Sequence, residues 1–191
     1  MATPTSLPAT FVAGNVLTAA QMNDLRGAFR ILQVVSTTKT DTFSASTDND
    51  GTPNAQWASV TGLTATITPT AAISKVLVFV SLFGTSAGNF GFGFRLTRGG
   101  NAIGVADAAS NRLQATGVVS PPNNTDLMGS GSALYLDSPA STSALTYGVD
   151  IANLESPTST ITLYVNRSQG DSDVVNRPRA TSTITVMEVS A

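Results

Sequence analysis

From residue 33 to the end of the chain, apolar residues recur at every second position, and no segment in that stretch carries helical spacing. A period of two sends successive side chains to opposite faces of a sheet, so the pattern dictates strands. Candidate strands cover 33–37, 40–46, 57–69, 75–83, 90–98, 102–106, 111–119, 131–137, 143–152, 159–166 and 181–189. Turn-forming residues separate them, among them Gly99-Gly100-Asn101, Pro121-Pro122-Asn123-Asn124 and Ser138-Pro139. Short strands at this spacing, with no helices between them, predict an all-β antiparallel β-sandwich of jelly-roll type. No internal repeat of fixed period is present, which argues against a fibre shaft.

Composition agrees with an exposed pleated surface. Of the 191 residues, 27 are Thr and 21 are Ser, while only 12% are charged. That charged share is about half the usual one. Thr suits a half-exposed strand because its β-branch restricts χ1. A net charge of −2 provides little electrostatic repulsion between copies, so the chain reads as one that relies on contacts with other subunits.

Two strands stand out. Lys75-Val76-Leu77-Val78-Phe79-Val80-Ser81-Leu82-Phe83 is nearly continuous apolar sequence. A strand reads this way when both faces are covered, either at a sandwich centre or at a subunit interface. Phe90, Phe92, Phe94 and Leu96 alternate with Gly91, Gly93 and Arg95. One face is then a row of bulky apolar groups, and the glycines leave the other open to close approach by a backbone or sheet.

Residues 1–32 form a separate N-terminal part, ahead of a sandwich expected over 33–191. Pro4 and Pro8 disfavour helix in residues 1–17. The apolar Phe11, Val12, Val16 and Leu17 either pack under the adjacent domain or form an arm that docks on a partner. Thr18-Ala19-Ala20-Gln21 is a capping box, flanked by Leu17 and Met22 as a hydrophobic staple. Met22, Leu25, Phe29 and Leu32 follow at spacings of 3, 4 and 3. This is a seam of about two heptads, too short to hold a coiled coil alone. It fits a helix lying on its own domain, or a short bundle around a trimer axis supported by the domains downstream.

The chemistry available is narrow. With no Cys and no His, the chain lacks disulfides, thiolate ligands and the commonest general base and zinc ligand. Asp48-Asn49-Asp50-Gly51 resembles the middle of a calcium loop, but Ser46 and Trp57 stand where ligands belong, so it reads as a turn. Asp171-Ser172-Asp173 with Asn166 could offer oxygen ligands to a cation. Pairing of those carboxylates with Arg167, Arg177 or Arg179, or a solvated loop, is the simpler expectation. The acids sit mainly in turns, and Gly129-Ser130-Gly131-Ser132 lacks the flanks of a nucleophile elbow. No catalytic residue, cofactor or metal is expected. Scattered basic residues leave no nucleic-acid footprint, and no apolar run is long enough to span a membrane. The start lacks the pattern of a signal peptide, so synthesis in the cytoplasm is expected. Trp57 follows a polar turn and could be an exposed sugar platform, whereas Tyr135, Tyr147 and Tyr164 lie within strands, where packing is the default.

Phe11-Val12-Ala13-Gly14-Asn15-Val16-Leu17-Thr18-Ala19-Ala20-Gln21-Met22-Asn23 resembles a segment common in tail and surface proteins of tailed bacteriophages. Further matching stretches include Ser74-Lys75-Val76-Leu77-Val78, Asp107-Ala108-Ala109-Ser110-Asn111-Arg112, Leu136-Asp137-Ser138-Pro139 and Tyr164-Val165-Asn166-Arg167-Ser168. Together they make nearly the whole chain similar to a family of small virion structural proteins. The resemblance implies a homotrimer on the virion surface and offers no catalytic residues. Two roles follow as expectations. One is a capsid decoration (cement) protein whose arm docks on the major capsid protein or another virion protein. The other is a receptor-binding tip or short tail fibre, with a host surface glycan as possible partner.

Overall fold

The computed structural model describes residues 31–49, 56–88, 90–155 and 159–190, with isolated positions at Gly14, Val16, Thr18 and Ala19. The described residues form eleven strands: β1 (Ile31–Lys39), β2 (Phe43–Asn49), β3 (Ala58–Ile67), β4 (Lys75–Ser86), β5 (Phe92–Arg98), β6 (Asn101–Ile103), β7 (Gly117–Val119), β8 (Gly129–Asp137), β9 (Leu145–Asn153), β10 (Ser159–Val165) and β11 (Ser182–Val189). Every pairing is antiparallel.

The pairings follow one rule. β1 pairs β11, β2 pairs β10, β3 pairs β9, β4 pairs β8, and β5 pairs β7. The chain is therefore one long antiparallel ribbon, folded back on itself near β6 and rolled up. Rolling brings β4 against β11 and β5 against β9, which closes two sheets. One runs β1-β11-β4-β8, with β10 and β2 continuing beyond β11 along the same edge of β4. The other runs β3-β9-β5, with β6 and β7 in line along the free edge of β5. This is the jelly-roll type of sandwich.

The core lies between the sheets. Val76, Val78, Val80 and Leu82 of β4 face Phe92, Phe94 and Leu96 of β5, and all are buried. The alternation read from the β5 sequence holds for Phe92 and Phe94, whereas Phe90 lies before the strand and is 44% exposed. The outer side of Gly93 is covered by side chains rather than by another sheet. A methyl added there would lie 3.1 Å from Leu113 Cδ2 and 3.4 Å from Leu154 Cδ2.

Phe94 shows how glycines shape this core. Its ring occupies space left by two of them, Gly117 in β7 and Gly131 in β8. A methyl on Gly131 would sit 2.8 Å from Phe94 Cε1 and 3.1 Å from the Val118 carbonyl oxygen. The backbone cannot yield there without breaking sheet geometry, so the ring must shift. Gly131→Ala is expected to cost about 1–3 kcal/mol by overpacking, a fall in Tm of roughly 3–10 °C by calorimetry. An unchanged Tm would show that the ring relocates freely.

Buried carboxylates tie the strands together. Most acids were expected in turns; Asp137, Asp150 and Glu188, which fall in expected strands, are buried. Asp137 Oδ2 accepts from Arg98 Nη1 at 2.6 Å and from the Tyr147 hydroxyl at 2.7 Å. Asp150 accepts from Ser59 Oγ at 2.6 Å and from Arg95 Nη2 at 3.0 Å. Asn166, with φ of 61°, donates through Nδ2 to the carbonyls of Lys39 and Asp41 at 2.8 and 3.0 Å, and accepts from Ser182 Oγ at 2.6 Å. It joins the β1–β2 turn to the start of β11 and is fully used by the fold. Its expected neighbour Asp171 pairs with Arg167 at 3.1 Å and Arg179 at 2.5 Å. The arginine-paired reading of that loop holds for this carboxylate.

Candidate interaction face

The β4 run that reads as covered on both faces is covered on one. Its even-numbered residues fill the core, while Leu77 and Phe79 point away from it. Strand registers align their neighbours into rows across the outer face of the first sheet. Val34, Met187, Leu77 and Leu136 form one row through successive pairings. Ser36, Thr185, Phe79 and Leu134 form the next. Leu134 is 66% exposed, Val34 55% and Leu136 53%.

Charge is nearly absent from this face. Lys75 stands at its margin and donates to Ser138 Oγ at 2.8 Å. Farther along the strands the rows change to hydroxyls: Thr38 faces Thr183, which faces Ser81, which faces Ser132. Neighbouring β1 and β11 hydroxyls bond to each other, as in Ser36 with Thr185 at 2.8 Å. The face thus has an apolar half beside a hydroxyl half, with almost no charge.

The opposite sheet has a different outer face. Arg95 is held by Asp150 and stacks over Trp57, 4.3 Å from the ring centroid. One face of the Trp57 ring is therefore used, and the side chain is half-buried rather than an exposed platform. Beside this cluster, β3 carries a register shift against β9 between Ser59 and Thr64. Gly148 keeps the sheet surface low there, since a methyl on it would lie 3.1 Å from Thr97 Oγ1. The result is a groove of about 290 Å³, lined by Ser59, Thr64, Thr97 and Thr146 together with Val60, Val149 and glycines, with Asp150 also in its lining.

Of the residues expected in a trimer seam, Leu32 lies in β1, at the irregularity between the paired Ile31 and Gln33, in strand rather than helix. The expected helix does not run through it, because the backbone on either side of Leu32 bonds to β11. Met22, Leu25 and Phe29 lie outside the described residues, as do Phe11, Val12 and Leu17 of the expected arm. Val16 is 90% exposed. Ala19 is helical and Thr18 immediately precedes it, the order that the capping box requires. Of the sequence Asp48-Asn49-Asp50-Gly51, the last two residues lie outside the described set. Asp48 accepts through its carbonyl from the Gln56 amide at 3.3 Å, as a turn closing back on β2 would.

The apolar face itself was not assembled from sequence, although its signal was there. Val34-Val35, the β4 run and Leu134-Tyr135-Leu136 each break strict alternation. Excess apolar residues at outward positions depart from the alternation of a strand with one solvated face.

No protein-family model matches this sequence, and no curated protein matches it. Among solved structures, the fold is similar to one described as "Crystal structure of infectious bursal disease virus VP2 subviral particle" at 10% identity and a TM-score of 0.36. The likeness covers 95% of this chain, which spans 43% of that one.

Proposed function

We infer that the chain is a non-enzymatic structural protein of a phage virion, a homotrimeric decoration protein whose N-terminal arm docks on the particle. The observation that carries this reading is the uncharged apolar outer face of the β1-β11-β4-β8 sheet, a surface suited to protein contact. The resemblance of residues 11–23 to tailed-phage surface proteins supplies the virion setting. The buried carboxylates support it too, since Asp137, Asp150 and Glu188 each hold strands together.

Deleting residues 1–17 should leave a soluble trimer that no longer co-sediments with particles. Retained co-sedimentation would refute the arm as anchor. Gel densitometry of purified particles gives the setting: copies comparable with the major capsid protein fit decoration, and a few copies per tail fit a fibre.

The receptor-binding reading is favoured by one feature, the groove beside Asp150, whose lining includes four hydroxyl side chains. Its walls could hydrogen-bond a host surface glycan. Tail-only labelling by immunogold, together with glycan binding lost in Thr64→Phe, would establish that reading over decoration.

A further inference from the structure

A sheet edge presents unpaired backbone groups, and folds blunt such edges with charges, irregularities or very short strands. Most edges of this sandwich are blunted. β3 is irregular between Ser59 and Thr64, and β1 between Ile31 and Gln33. β2 carries Asp48, and β6 and β7 are three residues long. β8 has none of these devices. Its nine residues pair with β4 without a break in register, and Gly129–Leu136 hold no charge and no proline. Among the described residues, the backbone of Ser130–Leu136 bonds to β4 alone. No residue in that run is fully buried, and Leu134 and Leu136 are exposed.

We propose that the free edge of β8 pairs, antiparallel and across a two-fold axis, with β8 of a second copy. Leu134 lies opposite Leu134 at the axis. Ser132 then faces Leu136, Ala133 faces Tyr135, and Gly131 faces Asp137. Small residues meet large ones on the inner side, where the Tyr135 ring lies over Gly104. The two Asp137 carboxylates fall at opposite ends of the ladder, about 20 Å apart, so no like charges meet. Centring on Tyr135 instead would join Leu134 to Leu136, but it sets Tyr135 against Tyr135 and runs the ladder past the end of β8. Centring on Ala133 would set both leucines against serines.

A second copy suits this edge because the edge is complementary to itself, and a net charge of −2 leaves little repulsion to overcome. The pairing is edge to edge, so the uncharged outer face of each sheet stays open and the two faces join in one plane. The contact goes beyond the decoration reading and does not rest on it. A ladder of seven residues is about 24 Å long. Its buried area falls at the low end of specific interfaces, below about 1,200 Å². Free copies therefore pair weakly, and copies held side by side pair more strongly.

With no Cys in the chain, single cysteines read the register. Facing Cα atoms of an antiparallel pair lie about 4.5–5.5 Å apart, within disulfide reach. Leu134→Cys in the full chain should give a disulfide-linked pair under mild oxidation. Ser132→Cys alone should give about tenfold less, because its two copies lie about 14 Å apart. Mixed with Leu136→Cys, it should give the heterodimer, identified by peptide mass spectrometry. Thr66→Cys, on the outer face of the other sheet, sets the collision background. A Leu134→Cys yield no higher than that of Ser132→Cys or Thr66→Cys would overturn the proposal.

Sedimentation velocity supplies a second measurement. Between ~1 and ~100 µM the wild type should shift to twice its resting mass, as a micromolar contact would. Leu134→Lys sets like charges opposite each other at the axis and should stay at the resting mass, with Tm unchanged because the site is exposed. Doubling that persists in Leu134→Lys, or a wild type that never doubles, would also overturn the proposal. A trimer that fails to double removes the edge contact and leaves the decoration reading intact. A monomer that doubles removes the trimer and leaves the edge contact.

Discussion

Glu188→Gln is expected to unfold about 5–15 °C below the wild type at pH 7, with the gap closing toward pH 3. Glu188 is fully buried in β11. Its Oε1 accepts from the Thr70 amide at 2.7 Å and the Thr70 hydroxyl at 2.8 Å, and its Oε2 accepts from Gln33 Nε2 at 2.8 Å. A glutamine of the same shape keeps its oxygen on Thr70 and turns its NH2 toward the NH2 of Gln33. Gln33 cannot flip to accept, because its Nε2 also donates to the Thr68 carbonyl at 2.7 Å. One donor thus stays unpaired and the remaining bonds lose their charge assistance. Hydrogen bonds to charged groups contribute about 1.5–3 kcal/mol each, so a loss of about 2–4 kcal/mol is expected, which sets the fall in Tm.

The pH dependence follows from the same contacts. Burial alone would raise the Glu188 pKa, but hydrogen bonds from Gln33, Ser74 and Thr70 together outweigh it and hold the carboxyl below its ordinary 4.5. A depressed folded pKa contributes stability above the unfolded value and loses it as pH falls through the folded one. Once protonated, wild-type Glu188 resembles the glutamine. Thermal melts of both proteins between pH 7 and pH 3 check this, and a gap that stays constant over that range would sink the account.

Asp137→Ala should be as damaging, at about 3–5 kcal/mol. It removes the acceptor of the Arg98 guanidinium and of the Tyr147 hydroxyl, and Tyr147 is fully buried. The carboxylate joins the end of β8 to β5 and β9, and its Oδ1 also accepts from the Ser138 amide at 2.9 Å. Tyr147→Phe removes one hydrogen bond and should cost about 1–2 kcal/mol. A double-mutant cycle of the two should show coupling of about 1–3 kcal/mol; simple additivity would mean that the phenol and carboxylate act independently. Burial first, then the bond to Asp137, raises the Tyr147 phenol well above its ordinary 10.0. The unfolded phenol therefore ionises before the folded one, and stability attributable to Tyr147 falls as pH rises past that value. Tyr147→Phe should remove that alkaline component, seen as a flatter Tm profile above pH 10.

The strands were legible in the sequence because period two and turn chemistry are local. Each of the eleven expected segments overlaps one of the eleven strands. The shortest, β6 and β7, were expected as longer runs, 102–106 and 111–119, and β6 begins one residue earlier than expected, since three-residue strands are defined by their pairing with β5 and not by their own pattern. The helical spacing through Leu32 failed for a related reason. Spacing alone extended the seam, but Ile31 and Gln33 bond to Val189 and Glu188, and the ladder to β11 fixes this backbone as strand.

Asp137 and Glu188 fell inside expected strands, but the sequence assigned them no role. Their roles depend on partners 39 and 118 residues away, Arg98 and Thr70. Nothing near either acid in sequence announces those partners.

By itself the sequence determined that the chain is an all-β antiparallel sandwich, and which residues of most strands alternate inward. It also carried an excess of outward apolar residues, most plainly in β4, without saying whether they belong to a sandwich centre or to an interface. Only the tertiary structure decided that these residues lie outside the sandwich centre. Rolling the ribbon places β1, β11, β4 and β8 side by side, and their registers bring Val34, Met187, Leu77 and Leu136 into one row. The two ends of that row, Val34 and Leu136, are 102 residues apart in sequence. Alternation gives each strand an outer side, but which strands share that side is set by long-range pairing, and so the apolar face exists only in the folded chain.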